Sequence, residues 1–109
     1  MAYDKQLAGR VRKIIEHGHE FDEKKMFGGI CWLFNGNMAG GIIKEELIVR
    51  VGQDNYESAL AKPGVRVFDV TGRIMKGWVM VAGTVLDSDD VLSDWVDKGV
   101  EFALSLPSK

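Results

Sequence analysis

Lys24-Lys25-Met26-Phe27-Gly28-Gly29-Ile30-Cys31-Trp32-Leu33-Phe34-Asn35-Gly36-Asn37-Met38-Ala39-Gly40-Gly41-Ile42-Ile43-Lys44 is the stretch that decides the architecture. At its centre Asn35-Gly36-Asn37 joins two apolar runs, and Asn-Gly suits the positive φ angles of a two-residue hairpin turn. Lys24 to Asn35 reads as one strand. Alternation puts Met26, Gly28, Ile30, Trp32 and Phe34 on one side and Phe27, Gly29, Cys31 and Leu33 on the other. Both sides are apolar, so this strand is expected to be covered on both faces over part of its length. Met38 to Lys44 returns as a second strand, Lys44-Glu45-Glu46 forms a polar corner, and Glu46 to Gly52 makes a third. In that third strand Leu47, Val49 and Val51 face one way, Ile48 and Arg50 the other.

Outward from this meander the spacing changes. Between Tyr3 and His17, Leu7, Val11, Ile14 and Ile15 recur at helical intervals, with Asp4 as N-cap and Gly18 as the stop. Gln53 to Lys62 reads as a short helix that places Tyr56, Ala59 and Leu60 on one face and ends at Pro63-Gly64. Val65 to Val70 and Gly77 to Val81 read as two more strands, separated by a loop that begins at Thr71-Gly72-Arg73. The last helix starts near Asp87-Ser88, carries acids in its first turn, and presents Leu92, Trp95, Val96, Gly99, Phe102 and Ala103 as an apolar stripe up to about Leu106. The expected order is α-β-β-β-α-β-β-α, an α+β two-layer sandwich with a five-stranded antiparallel sheet. Helical crossovers between successive strands, which a doubly wound parallel sheet requires, are missing from this order.

Composition narrows the classes. A chain of 109 residues is one domain, expected to span 1–109. A hydrophobic content of 46% against 28% charged residues marks a globular chain, not a disordered one. Its single cysteine allows no internal disulfide and suits a reducing, cytoplasmic setting. No apolar run approaches the ~18–20 residues of a membrane span, and Met1-Ala2-Tyr3-Asp4-Lys5 carries no signal core. A net charge of −2 provides no general field toward nucleic acid.

No set of residues assembles into a catalytic or metal motif, and no cofactor is expected. Cys31, mid-strand between Ile30 and Trp32, reads as a small core hydrophobe. His17 and His19 read as loop residues, and no cysteine or carboxylate array completes a metal site with them. Asp87, Asp89 and Asp90 lack the glycine and closing glutamate of a calcium loop and are explained by capping. Gly28-Gly29 and Gly40-Gly41 lie within strands, unlike the glycines of nucleotide-binding loops. The candidate binding residues are cationic: Lys25 beside Lys24, then Arg50, Arg66, Arg73 and Lys76. Arg50 is the most informative of them, a charge inside a strand whose other residues call for burial.

Three segments carry a family resemblance. Lys24-Lys25-Met26-Phe27-Gly28-Gly29, then Asn35-Gly36-Asn37-Met38-Ala39 and Val49-Arg50-Val51-Gly52, resemble the N-terminal domain of the TfoX/Sxy family. Thr71-Gly72-Arg73-Ile74-Met75-Lys76-Gly77 and Ser105-Leu106-Pro107 resemble its small stand-alone members. The likeness runs from Tyr3 to Lys109, and its motif positions are Met26, Phe27, Gly28, Gly29, Gly72 and Gly77. It implies a two-layer α+β fold and a link to regulation, since the longer relatives act in natural competence as coactivators beside the cyclic-AMP receptor protein. It offers no catalytic residues to carry over.

The expected function is a non-enzymatic protein-interaction module with a regulatory role, its partner drawn from the transcription machinery or a second copy of the chain. The apolar first strand motivates the homodimer. Direct nucleic-acid binding through the basic residues, and a small anionic ligand near Arg50 and Arg73, are the alternatives.

Overall fold

The computed structural model describes residues 3–18, 20–26, 28–70 and 72–108. The order is α1 (Lys5–Ile15), β1 (Asp22–Met26), β2 (Gly29–Phe34), β3 (Asn37–Ile43), β4 (Glu46–Arg50), α2 (Tyr56–Leu60), β5 (Val65–Val67), β6 (Trp78–Val81), a 3-10 turn (Gly83–Val85) and α3 (Asp89–Ser105). All strand pairings are antiparallel, and the sheet runs β1-β2-β3-β4-β6-β5.

The α+β class stands, with six strands where five were expected. The run from Lys24 to Asn35 is two strands, because the chain reverses between Met26 and Gly29, which face each other across the first hairpin. Gly28 takes φ +76° there, a left-handed conformation that glycine reaches without the clash a Cβ brings. Phe27 lies outside the described residues. The reversal also changes the faces: Met26 shares a side with Cys31, not with Ile30. Thus Cys31 Sγ donates to Met26 Sδ at 3.2 Å. Asn35 and Gly36 form the second hairpin as expected, both at positive φ.

The helices gather on one face. Ile30, Trp32, Phe34, Ile42, Leu47, Val49, Val79 and Val81 meet Leu7, Val11 and Ile15 of α1 and Leu92, Trp95, Val96 and Ala103 of α3 in one buried core. Each buried Val, Leu, Ile or Phe among them contributes roughly 1.5–3 kcal/mol by leaving water. Asp4 caps α1, accepting from the backbone N–H of Gln6 and Leu7, and its own N–H donates to Lys44 at 2.7 Å. Glu23 of β1 clamps the opposite corner. Its carboxylate accepts from Arg12 at 2.6 and 3.0 Å and from the Trp32 indole at 2.9 Å. The final turn is held by Asn37, whose buried amide donates to the carbonyl of Pro107 at 2.9 Å.

The outer face of the sheet has its own small core: Ile48, Phe68 and Met80, packed by Met38, Ile43, Met75 and Trp78. The segment 68–77, between β5 and β6, supplies part of this cover. The two edges of the sheet differ. Every residue of β1 is exposed, whereas β5 is three residues long and has α2 beside it.

The apolar sides of β2 are buried within the chain itself, with Ile30, Cys31, Trp32 and Phe34 all at 3% exposure or less. The burial that motivated a second copy is thus already met inside one molecule.

Candidate interaction site

Arg50 ends β4 on the outer face, directly across from Trp78 of β6. Its guanidinium carbon stands 5.0 Å from the Trp78 ring centre and 5.3 Å from that of Phe102, which reaches over from α3. Both distances fall within cation–π range. The chain turns immediately after Arg50. The N–H groups of Val51 and Gly52 both donate to the carbonyl of Gly77, at 2.8 and 3.0 Å. Gly52 adopts φ +83° and lies so close to Phe102 that a Cβ would sit 2.5 Å from the ring. Arg50, Gly52, Gly77, Trp78 and Phe102 therefore form one unit at the carboxyl end of β4.

Burial pulls the Arg50 pKa below its ordinary value, though guanidinium remains protonated at any physiological pH. No acid lies within ion-pair distance of it among the described residues. Arg66 is the opposite case. It grips Glu46 through two hydrogen bonds, at 2.7 and 2.9 Å, with Asp69 at 3.5 Å, and the Glu46 contact raises its pKa.

The expected basic cluster therefore divides. Arg73 and Lys76 are exposed on the segment that leads into Trp78, the residue paired with Arg50. Arg66 is neutralised by its acids. Lys25 lies on β1, three strand spacings from β4, roughly 14 Å away across the sheet. Among the motif glycines, Gly28 and Gly29 belong to the first hairpin, while Gly72 and Gly77 belong to the loop below Arg50.

Sequence reasoning missed the rings around Arg50 and the character of the face beside it. Met26, Met38, Met75 and Met80 all lie on the outer side of the sheet. Met26 on edge strand β1 is 39% exposed, and the loop between β5 and β6, at the other side of the sheet, exposes Val70 and Ile74 at 41% and 61%. Strand parity carried part of this signal, since Ile48 and Arg50 alternate onto the same side.

Two surface grooves of about 490 Å³ each are lined by acids, one by Glu16, Glu20 and Asp22, the other by Asp4, Glu45 and Glu46. Within the core, a void of about 20 Å³ between Trp32, Trp95 and Val96 has room for about one water. Cys31 is buried, and burial pushes its thiol pKa up, away from nucleophilic use. His17 is exposed; His19 and Thr71 lie outside the described residues. No helix is long and apolar enough to cross a membrane among the described residues.

A family model of the TfoX N-terminal domain matches residues 13–103. Comparison with curated proteins and with solved structures returns no match.

Proposed function

Because the chain belongs to the TfoX N-terminal domain family, we propose that it is a protein-interaction module that docks a partner on the outer face of its sheet. The regulatory part of this reading rests on the family alone. One observation carries the docking part: the 68–77 segment that covers the outer face exposes Val70 and Ile74, at 41% and 61%, beside Met75, which is partly buried in the outer cluster with Met38. Methionine is unbranched and polarizable, so Met38 and Met75 of the outer cluster can adjust to a partner's shape at little cost in strain. Exposed apolar side chains grouped beside it provide the area that docking buries.

The test is a tagged capture from native lysate, with and without nuclease, comparing wild type with Ile74→Lys and with Val91→Lys. Val91 is an exposed apolar residue on α3 and serves as the control. A partner that survives nuclease, is lost with Ile74→Lys and is kept with Val91→Lys supports the reading. Capture indifferent to Ile74, or abolished by nuclease, overturns it.

A further inference from the structure

We propose that Arg50 is the oxyanion-recognition point of this docking face, receiving a carboxylate from an acidic, partly apolar segment of the protein partner. The inference rests on the docking reading and supplies the chemistry of what docks. A guanidinium offers five N–H donors in a rigid plane, and no described residue accepts a hydrogen bond from those of Arg50. Trp78 and Phe102 engage it through their rings, which leaves the donors at its edge available. The rings also hold the side chain in place, so a ligand loses little affinity to ordering it. Partial withdrawal from water strengthens attraction to an incoming anion, and a planar fork matches a carboxylate through two parallel bonds.

The surroundings favour an acidic protein segment. Arg73 and Lys76 add positive charge with no acid within ion-pair distance among the described residues, and Asp69, the one acid between Phe68 and Gly77, lies against Arg66. Val70 and Ile74 on the same loop are apolar and exposed. A polyanion is a poorer fit, because the chain is −2 overall, Arg66 is already paired, and Lys24 and Lys25 stand at the far edge.

The experiment titrates the full, isotope-labelled chain at fixed ionic strength and follows the Arg50 Nε–H and Trp78 indole N–H resonances. The probes are the peptide acetyl-Glu-Leu-Asp-Glu-Leu-amide, its Gln/Asn counterpart, inorganic phosphate and a thymidine oligonucleotide. The acidic peptide should move both resonances saturably, and its neutral counterpart should bind about tenfold or more weakly by comparison. Arg50→Lys, which keeps the charge and loses the fork, should weaken the acidic peptide by a similar factor, while Arg66→Gln leaves it unchanged. Equal binding of the two peptides, wild-type affinity in Arg50→Lys, or tighter binding of phosphate or oligonucleotide overturns the proposal. The peptide pair is read on the wild-type protein, so it decides the matter even where Arg50→Lys is unstable. If the peptide leaves both resonances unmoved while capture still requires Ile74, the carboxylate inference fails and the docking reading stands.

Discussion

Phe102 fills the space that a side chain on Gly52 would occupy: a Cβ built there falls 2.5 Å from the ring. The same ring supports Arg50, so the seat of the guanidinium and the bend after β4 depend on one contact. Gly52→Ala must displace Phe102 and hold an unfavourable positive φ. The expected loss is about 1–3 kcal/mol in urea unfolding, together with a shift of the Trp78 indole resonance. An unchanged midpoint with an unchanged spectrum would show that α3 yields freely at this point.

Glu23 predicts a pH dependence. Hydrogen bonding from Arg12, then from Trp32, holds its carboxyl below the ordinary value. A folded-state pKa below the unfolded one adds stability that is complete above the unfolded value of about 4.3 and is lost as pH falls through the folded value. Wild type should therefore exceed Glu23→Gln in stability at pH 7, and the gap should close toward pH 3. A gap that is constant with pH would assign the effect to packing.

Cys31 should resist modification. Its thiol is 1% exposed and is raised by burial, so an aromatic disulfide reagent should label the native chain at least about a hundredfold more slowly than the urea-unfolded chain. Met26→Ala removes the side chain that faces the sulfur and should speed native labelling. Rapid labelling of the native wild type would contradict the burial of the outer face at β2.

Asp4→Ala removes the acceptor for the Gln6 and Leu7 backbone donors. The expected cost is about 1 kcal/mol in thermal or urea unfolding. The Asp4→Asn variant should recover most of it.

Much of the architecture is written in local chemistry. Asp4, the Asn35-Gly36 pair and the apolar stripe from Leu92 to Ala103 each act through residues a few positions apart, and each is found where its spacing places it. The turn at Gly28 was harder to read. Strand alternation passes through Phe27-Gly28-Gly29 without interruption, so two strands of opposite direction look like one. The usable signal was polarity: Asp22 to Lys25 reads as an exposed edge, while Ile30 to Phe34 reads as a buried strand. Arg50 was legible because a charge interrupts an apolar alternation. Its rings were not, because Phe102 lies on a helix whose stripe explains it equally well as core. Arg66 looked like part of the same cluster until pairing across the sheet brought Glu46 to it.

The two edges of the sheet are protected by different means, and the difference bears on how the molecule behaves in a crowded cell. β5 is too short to template a neighbour and has α2 beside it; β1 is a full strand, guarded by Asp22, Glu23, Lys24 and Lys25. Charged edges discourage strand-to-strand growth between molecules. A chain shielded in this way can leave Met26, Val70 and Ile74 exposed without stacking into filaments. Neutralising Asp22, Lys24 and Lys25 together would strip most of that shield while leaving Glu23 in its clamp on Arg12, turning a guarded edge into one that recruits its own kind.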